Sequence, residues 1–334
     1  MSGTKQYEPV KKILAITMGD PGGIGAEIII RAVASPAVRK CCIPVIIGDA
    51  GVMQEAAALL RLPTKIKTVS SPEEIKLIPN TIHLIDLQSI PGIKKRMPTP
   101  EGGAACARFI RKAVELALEK KVDGVVTAPI SKEAMKMAEL PWPGHTEMLA
   151  ELSGTKDYAM MLAGGPLRVI LVTIHTAISQ VPELITKQRV LKTIRLAVKA
   201  CRMLKIKRPT IAVAGLNPHA GEAGMFGDEE SNAIIPAIRA AVKEGIPVSG
   251  PWPPDTVFRK AYAGDIDMVV CMYHDQGLIP LKMIAFDTGV NVTVGLPFVR
   301  TSPDHGTAYD IAWKGIANPS SMIEAIKVAS QLHL

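Results

Sequence analysis

Val169-Ile-Leu-Val-Thr-Ile-His175, Ile211-Ala-Val-Ala-Gly-Leu-Asn-Pro-His219 and Met268-Val-Val-Cys-Met-Tyr-His274 share one pattern: a strand-like apolar run followed by a histidine. Open α/β sheets bind ligands beyond the carboxyl ends of their buried strands, so a polar side chain delivered there is a candidate site residue. A single such histidine is explained by a hydrogen bond near its own strand end. Three of the seven histidines in that position point instead to a shared role. Three neutral imidazoles suit a divalent metal with positions left open for substrate. His175, His219 and His274 are therefore the candidate metal ligands.

Outward from these runs, apolar segments alternate with helical patterns. Ile13–Ile16, Pro44–Gly48, Thr81–Leu87 and Val122–Thr127 read as further strands. Helical spacing covers about Gly25–Ala34, Gly103–Lys120, Arg189–Leu204, Glu229–Glu244 and Ser321–Leu332. In the third of these, Val190, Ile194, Ala197, Val198 and Cys201 repeat at helical spacing. The alternation is that of βαβ units and a largely parallel sheet. A chain of 334 residues has room for two α/β units, although no repeat or low-complexity linker marks where they meet.

Composition excludes several classes. The opening Met1–Glu8 lacks the apolar core of a secretory signal, and no stretch is apolar for long enough to cross a bilayer. A cytoplasmic protein without membrane contact is expected. Cys41, Cys42, Cys106, Cys201 and Cys271 lack C-x-x-C spacing and read as reduced, mostly buried thiols without a chemical role. The net charge of +8 raises the question of nucleic acid. Its basic residues are scattered in short groups such as Lys94-Lys-Arg96, and aromatics at 4% are too few for a base-stacking platform. A solvated surface with a few groups for a small anionic substrate fits the charge better.

Five further segments carry possible chemistry. Thr17-Met-Gly-Asp-Pro-Gly-Gly-Ile-Gly-Ala-Glu27 joins a strand to a helix, where backbone N–H groups can face an anion, but it is neither a Walker loop nor G-x-G-x-x-G. A plain tight turn explains it equally well. Pro143-Gly-His-Thr-Glu-Met148 puts a histidine and a hydroxyl at a helix start, with Thr146 a possible cap. Asn217-Pro-His-Ala-Gly-Glu-Ala-Gly224 and His274-Asp-Gln-Gly277 surround candidate ligands with turn residues and with carboxylates or amides able to orient an imidazole. Asp275 is either a proton acceptor or a surface turn residue. In the stretch Lys282–Pro319, Lys282, Asn291 and Arg300 can bind phosphate and carboxylate, Arg300 through its two-pronged guanidinium.

Assembled in this order, Pro-Gly-His-Thr-Glu, Leu-Asn-Pro-His-Ala-Gly-Glu, Tyr-His-Asp-Gln-Gly and Gly-Leu-Pro-Phe-Val-Arg-Thr-Ser make the chain resemble the 4-hydroxythreonine-4-phosphate dehydrogenase family of vitamin B6 biosynthesis. The resemblance runs from Met18-Gly-Asp-Pro21 to the last helix. His305–Pro319 also looks like the NAD-binding loop of isopropylmalate and isocitrate dehydrogenases. The fold implied is isocitrate/isopropylmalate dehydrogenase-like, two α/β/α domains with a cleft between them. Residues 1–138 with 290–334 would form the first, and 139–289 the second, which carries the metal histidines and dimer contacts.

By motif, the resemblance implies metal ligands His175, His219 and His274. It implies substrate-binding residues His145, Thr146, Lys282, Asn291 and Arg300, and cofactor-binding residues His305, Gly306, Thr307, Asp310 and Asn318. A homodimer is implied too, one subunit lending a metal histidine to its neighbour's site. Departures from the family pattern are Gly23 and Ala26 in the first loop and Trp313 in place of a glycine in the cofactor-like loop.

The activity implied is oxidation of 4-phosphohydroxy-L-threonine by NAD with a divalent metal, whether zinc, magnesium, cobalt or manganese. The β-keto acid formed would decarboxylate to 3-amino-2-oxopropyl phosphate. Asp275, Lys282 and a metal-bound hydroxide are the candidate bases. The paralogous alternative is a 4-phospho-D-threonate or 4-phospho-D-erythronate dehydrogenase of sugar-acid catabolism. A metal-dependent phosphatase and a non-catalytic binding protein stand further off.

Overall fold

A computed structural model of the chain describes residues 11–76, 78–88 and 92–334. The opening segment Met1–Glu8, read above for a targeting signal, lies outside the described residues. Twelve strands are present among the described residues. The first five are β1 (Lys12–Thr17), β2 (Cys42–Gly48), β3 (Lys65–Thr68), β4 (Thr81–Asp86) and β5 (Gly124–Thr127). Then come β6 (Ala159–Gly164), β7 (Leu167–Leu171), β8 (Ile211–Ala214), β9 (Val248–Trp252), β10 (Met268–Cys271), β11 (Val290–Val294) and β12 (Val299–Pro303).

All twelve join one sheet in the order β3-β4-β2-β1-β5-β12-β11-β6-β7-β10-β8-β9. The sheet is largely parallel, as the alternation of elements requires. Antiparallel pairing is confined to β12–β11, β11–β6 and β6–β7 near its middle. The interior strands β1, β5, β8 and β10 carry almost unbroken apolar residues, because helices cover both of their faces. Short or more polar strands escaped the sequence reading. The edge strand β3, Lys-Ile-Lys-Thr, has too few apolar residues to announce itself.

Helix boundaries follow local chemistry. Thr99 accepts from Gly102 N at 3.0 Å and precedes Pro100, so Pro100–Leu118 begins three residues before the expected start. Thr186 caps Lys187–Met203 in the same way through Arg189 N. Gly25–Ala34 forms as expected. The stretch expected as one helix over Glu229–Glu244 divides into a π-helical turn, Glu230–Ile234, and an α-helix, Ile235–Lys243. Glu230 is the cause on the sequence side, since its buried carboxylate turns inward to bind backbone N–H groups of the loop after β8. No helix among the described residues is long and apolar enough to cross a membrane.

Candidate active site

A cleft of about 860 Å³ opens beside the antiparallel middle of the sheet, within the size range of small-molecule sites. Its floor follows from strand register. Arg300 on β12 pairs with Val125 on β5, and Asn291 on β11 pairs with Ser302 on β12, so both side chains reach the same cleft. His145 and Thr146 enter from the first turn of the helix His145–Leu152, and His175 and His274 from the ends of β7 and β10. Lys282, His305 and Gly306 also line the cleft.

Arg300 dominates the floor. It is 1% exposed; Nη1 donates to Thr293 Oγ1 at 2.9 Å and Nη2 to Thr127 Oγ1 at 2.7 Å. Both acceptors are neutral hydroxyls, and its Nε has no partner. Burial brings its pKa down to about 10, against a smaller opposing pull from Glu147, so the group stays cationic at neutral pH. His145 Nε2 and Asn291 Oδ1 are likewise buried and unpaired. Burial first, then the Arg300 charge, hold the His145 imidazole well below its ordinary pKa and keep it neutral. A desolvated cation beside unsatisfied polar atoms costs several kcal/mol, roughly, unless a ligand completes it. Phosphate or carboxylate is the ligand whose geometry and charge fit.

The wider lining has the same bias. Lys132, Lys156, Arg189, Lys192 and Lys282 join Arg300 around the cleft, against the two carboxylates of Glu147 and Asp304. Asp304 is already 3.4 Å from Lys282 Nζ. Thr127, Thr293 and the four basic residues Lys132, Lys156, Arg189 and Lys192 were missed in the sequence. A threonine in a strand, or a basic residue on a helix such as Lys132, Arg189 and Lys192, carries no local mark of a shared cleft.

The three strand-end histidines do not all meet within one chain. His175 and His274 face each other with ring centroids 5.6 Å apart. His274 Nδ1 lies 2.7 Å from Asp275 Oδ1, which fixes the ring and leaves Nε2 for a ligand. His219 is exposed on another loop, beside Phe226 at 6.3 Å. No group of three metal-binding side chains forms among the described residues. The physical reason is the chain path after β8, where His219, Ala220, Gly221, Glu222 and Ala223 all adopt left-handed φ values. For non-glycine residues that conformation costs roughly 1–2 kcal/mol each. Glu230 holds the start of the loop, accepting from Leu216 N at 2.8 Å and Asn217 N at 2.9 Å. Strain retained in this way marks a presented loop. The two facing imidazoles could supply part of a metal's ligand set, and His219 does not join them within the chain.

Several other candidate residues have local settings that the sequence does not announce. His274-Asp-Gln-Gly277 is the first turn of the helix His274–Ala285, not a surface turn, and exposed Asp275 contacts His274 without lining the cleft. Thr146 does not cap its helix, because Gly144 occupies the cap position and no side-chain cap bond forms. Thr307, Asp310 and Asn318 do not line the cleft; Thr307 and Asp310 bond through their carbonyls to Ile24 N and Arg96, while Asn318 Oδ1 accepts from Ser320.

Known proteins agree with this architecture. Residues 40–329 match the family described as pyridoxal phosphate biosynthetic protein PdxA. A 4-hydroxythreonine-4-phosphate dehydrogenase from Desulfosudis oleivorans is 50% identical over 322 residues, covering 96% of this chain and 95% of that one. A D-threonate 4-phosphate dehydrogenase from Pectobacterium atrosepticum is 45% identical over 326 residues, covering 97% of this chain and 100% of that one. The crystal structure of 4-hydroxythreonine-4-phosphate dehydrogenase from Klebsiella pneumoniae gives a TM-score of 0.90 at 44% identity, covering 97% of this chain and 99% of that one. A β-decarboxylating dehydrogenase from Thermococcus kodakarensis shares the fold alone, with a TM-score of 0.50 at 14% identity over 96% of this chain and 81% of that one. The chain belongs to the pyridoxal phosphate biosynthetic protein PdxA family.

Proposed function

We propose that this chain is a dehydrogenase that oxidises 4-phosphohydroxy-L-threonine with NAD, giving a β-keto acid that decarboxylates to 3-amino-2-oxopropyl phosphate. The observation that carries the reading is the unpaired, buried trio of Arg300, His145 and Asn291 in a cationic cleft, which calls for a small phosphorylated acid. Arg300, His145 and Thr146 hold the anionic end of the substrate, and Asn291 orients a hydroxyl or amino group beside it. Lys282 lines the cleft and is the residue assigned the substrate hydroxyl's proton, at Nζ. Asp275 is assigned to orienting the His274 ring.

His175 and His274 would hold a divalent metal (zinc, magnesium, cobalt or manganese), with His219 of a second copy completing the set. When bound, the metal supplies Lewis-acid polarisation of the substrate and NAD supplies the hydride acceptor. A homodimer is supported by apolar side chains facing outward on and just after the helix His274–Ala285, where Met283 is 81% and Phe286 77% exposed. Met225, 73% exposed, extends the apolar surface of the His219 loop. His305 and Gly306 on the cleft wall, with Thr307, Asp310 and Asn318 on the loop that runs on from it, are assigned to NAD. The two-domain division, 1–138 with 290–334 and 139–289, is supported by the antiparallel pairings that interrupt the sheet between β12 and β7. Five free thiols fit a reducing cytoplasm.

The similarity to a D-threonate 4-phosphate dehydrogenase favours 4-phospho-D-threonate as the second reading. The test is NADH formation from 4-phosphohydroxy-L-threonine, 4-phospho-D-threonate and 4-phospho-D-erythronate, each with and without divalent metal. Metal-dependent turnover with the highest kcat/KM for the first compound is expected. Preference for another compound would move the protein to sugar-acid catabolism, and no NADH from any of them would contradict the reading.

A further inference from the structure

The loop assigned to NAD has turn bonds of its own, from Ile311 N and Ala312 N to the Ala308 carbonyl, and is anchored from outside chiefly by residues 20–27. Glu27 is fully buried, its Oε2 accepting from Trp313 N and its Oε1 from Gly315 N, both at 2.7 Å. Asp20 is 1% exposed and accepts from Tyr309 Oη at 2.7 Å and Gly22 N at 2.8 Å. Ile24 N donates to the Thr307 carbonyl at 3.1 Å, and Trp313 Nε1 to the Pro21 carbonyl at 3.1 Å. Arg31 reaches the Gly315 carbonyl.

The energetics argue against a simple stabilising brace. No lysine or arginine forms an ion pair with either carboxylate among the described residues. Buried carboxylates without a cation are costly even when hydrogen-bonded, and the helix N-terminus beside Glu27 offsets only part of that cost. What the carboxylates achieve is geometric, since they fix two backbone N–H groups and one phenol of a loop that has no helix or strand of its own. Two departures from the family pattern sit in the same contact. A Cβ on Gly23 would lie 3.0 Å from the Thr307 carbonyl oxygen, so glycine permits the close approach. The Trp313 indole fills the other end, with Lys95 Nζ 4.1 Å from its ring centroid.

We propose that Glu27 and Asp20 are positioning residues for the nicotinamide cofactor, preorganising the Thr307–Gly315 loop before NAD arrives. The inference rests on the assignment of that loop to NAD. Preorganisation lowers the ordering cost of binding, so its loss raises KM for NAD while leaving the reaction of the bound complex alone. Glu27→Gln turns an acceptor into a donor facing a backbone N–H, and Tyr309→Phe removes the phenol's bond to Asp20 together with its contacts to the Ser131 and Thr307 hydroxyls.

The experiment measures KM for NAD, KM for the phosphorylated substrate, kcat and Tm in holoenzyme carrying Glu27→Gln or Tyr309→Phe, with His305→Ala and Asp310→Ala alongside. The expected result is KM for NAD raised about tenfold or more in Glu27→Gln and about threefold in Tyr309→Phe, with kcat and substrate KM within about twofold. A lower Tm with KM for NAD unchanged in both variants would make the carboxylates a structural brace and overturn the inference. If His305→Ala and Asp310→Ala raise KM for NAD in that case, the inference alone fails. If they leave it unchanged as well, the cofactor assignment fails with it. Should Glu27→Gln not fold, Tyr309→Phe decides.

Discussion

Arg300 shows what one residue can disclose and what it conceals. Its guanidinium identifies anion chemistry from sequence, but its neutral partners Thr127 and Thr293 come from strands far apart in the chain and become visible only through register. His145 beside it has a consequence for pH. Its folded pKa lies well below the ordinary 6.5, so below about pH 6.5 the unfolded chain takes up a proton that the folded chain resists. Stability is therefore complete above that pH and declines as pH falls. Between pH 7 and 5.5 the loss from this residue is about 1 kcal/mol, because one proton is worth at most about 1.4 kcal/mol per pH unit. Urea midpoints of the wild type and His145→Gln across that range check it. The variant's stability should fall less steeply with acid; parallel curves would contradict the burial of a neutral imidazole.

At the scale of elements, the runs ending at His175, His219 and His274 and the long helices were legible because burial imposes a period on their residues. Polar side chains that brace one element against another were not legible. Gln276 is such a brace, accepting from Met272 N at 2.7 Å and donating to the Gly215 carbonyl at 2.7 Å, so that it ties the end of β10 to the end of β8. Glu230 does similar work for the His219 loop and draws its own helix into a π turn. Neither interaction leaves a periodic signal. Gln276→Leu keeps comparable bulk but strands a buried donor and acceptor, and should cost about 2–3 kcal/mol, read as a lower urea midpoint with an unchanged m-value. A change under about 0.5 kcal/mol would mean that the backbone groups find other partners.

Over the whole molecule, the sheet brings nearly every anion-binding candidate to one cleft, yet leaves the third histidine outside it. Sequence placed three histidines at strand ends; it could not say that a left-handed loop turns one of them outward. The proposed second copy of the chain would account together for the exposed His219, the exposed apolar helix face and the pairing of only two imidazoles. The most direct measurement is subunit mixing. His219→Ala and His175→Ala, each inactive as a pure protein, are unfolded, refolded together and assayed for metal-dependent NADH formation with the phosphorylated substrate. If a second copy's His219 completes the His175–His274 pair, a hybrid dimer holds one intact site, and about a quarter of wild-type activity should return on random pairing. No recovery from hybrids shown to have formed would contradict a site shared between subunits.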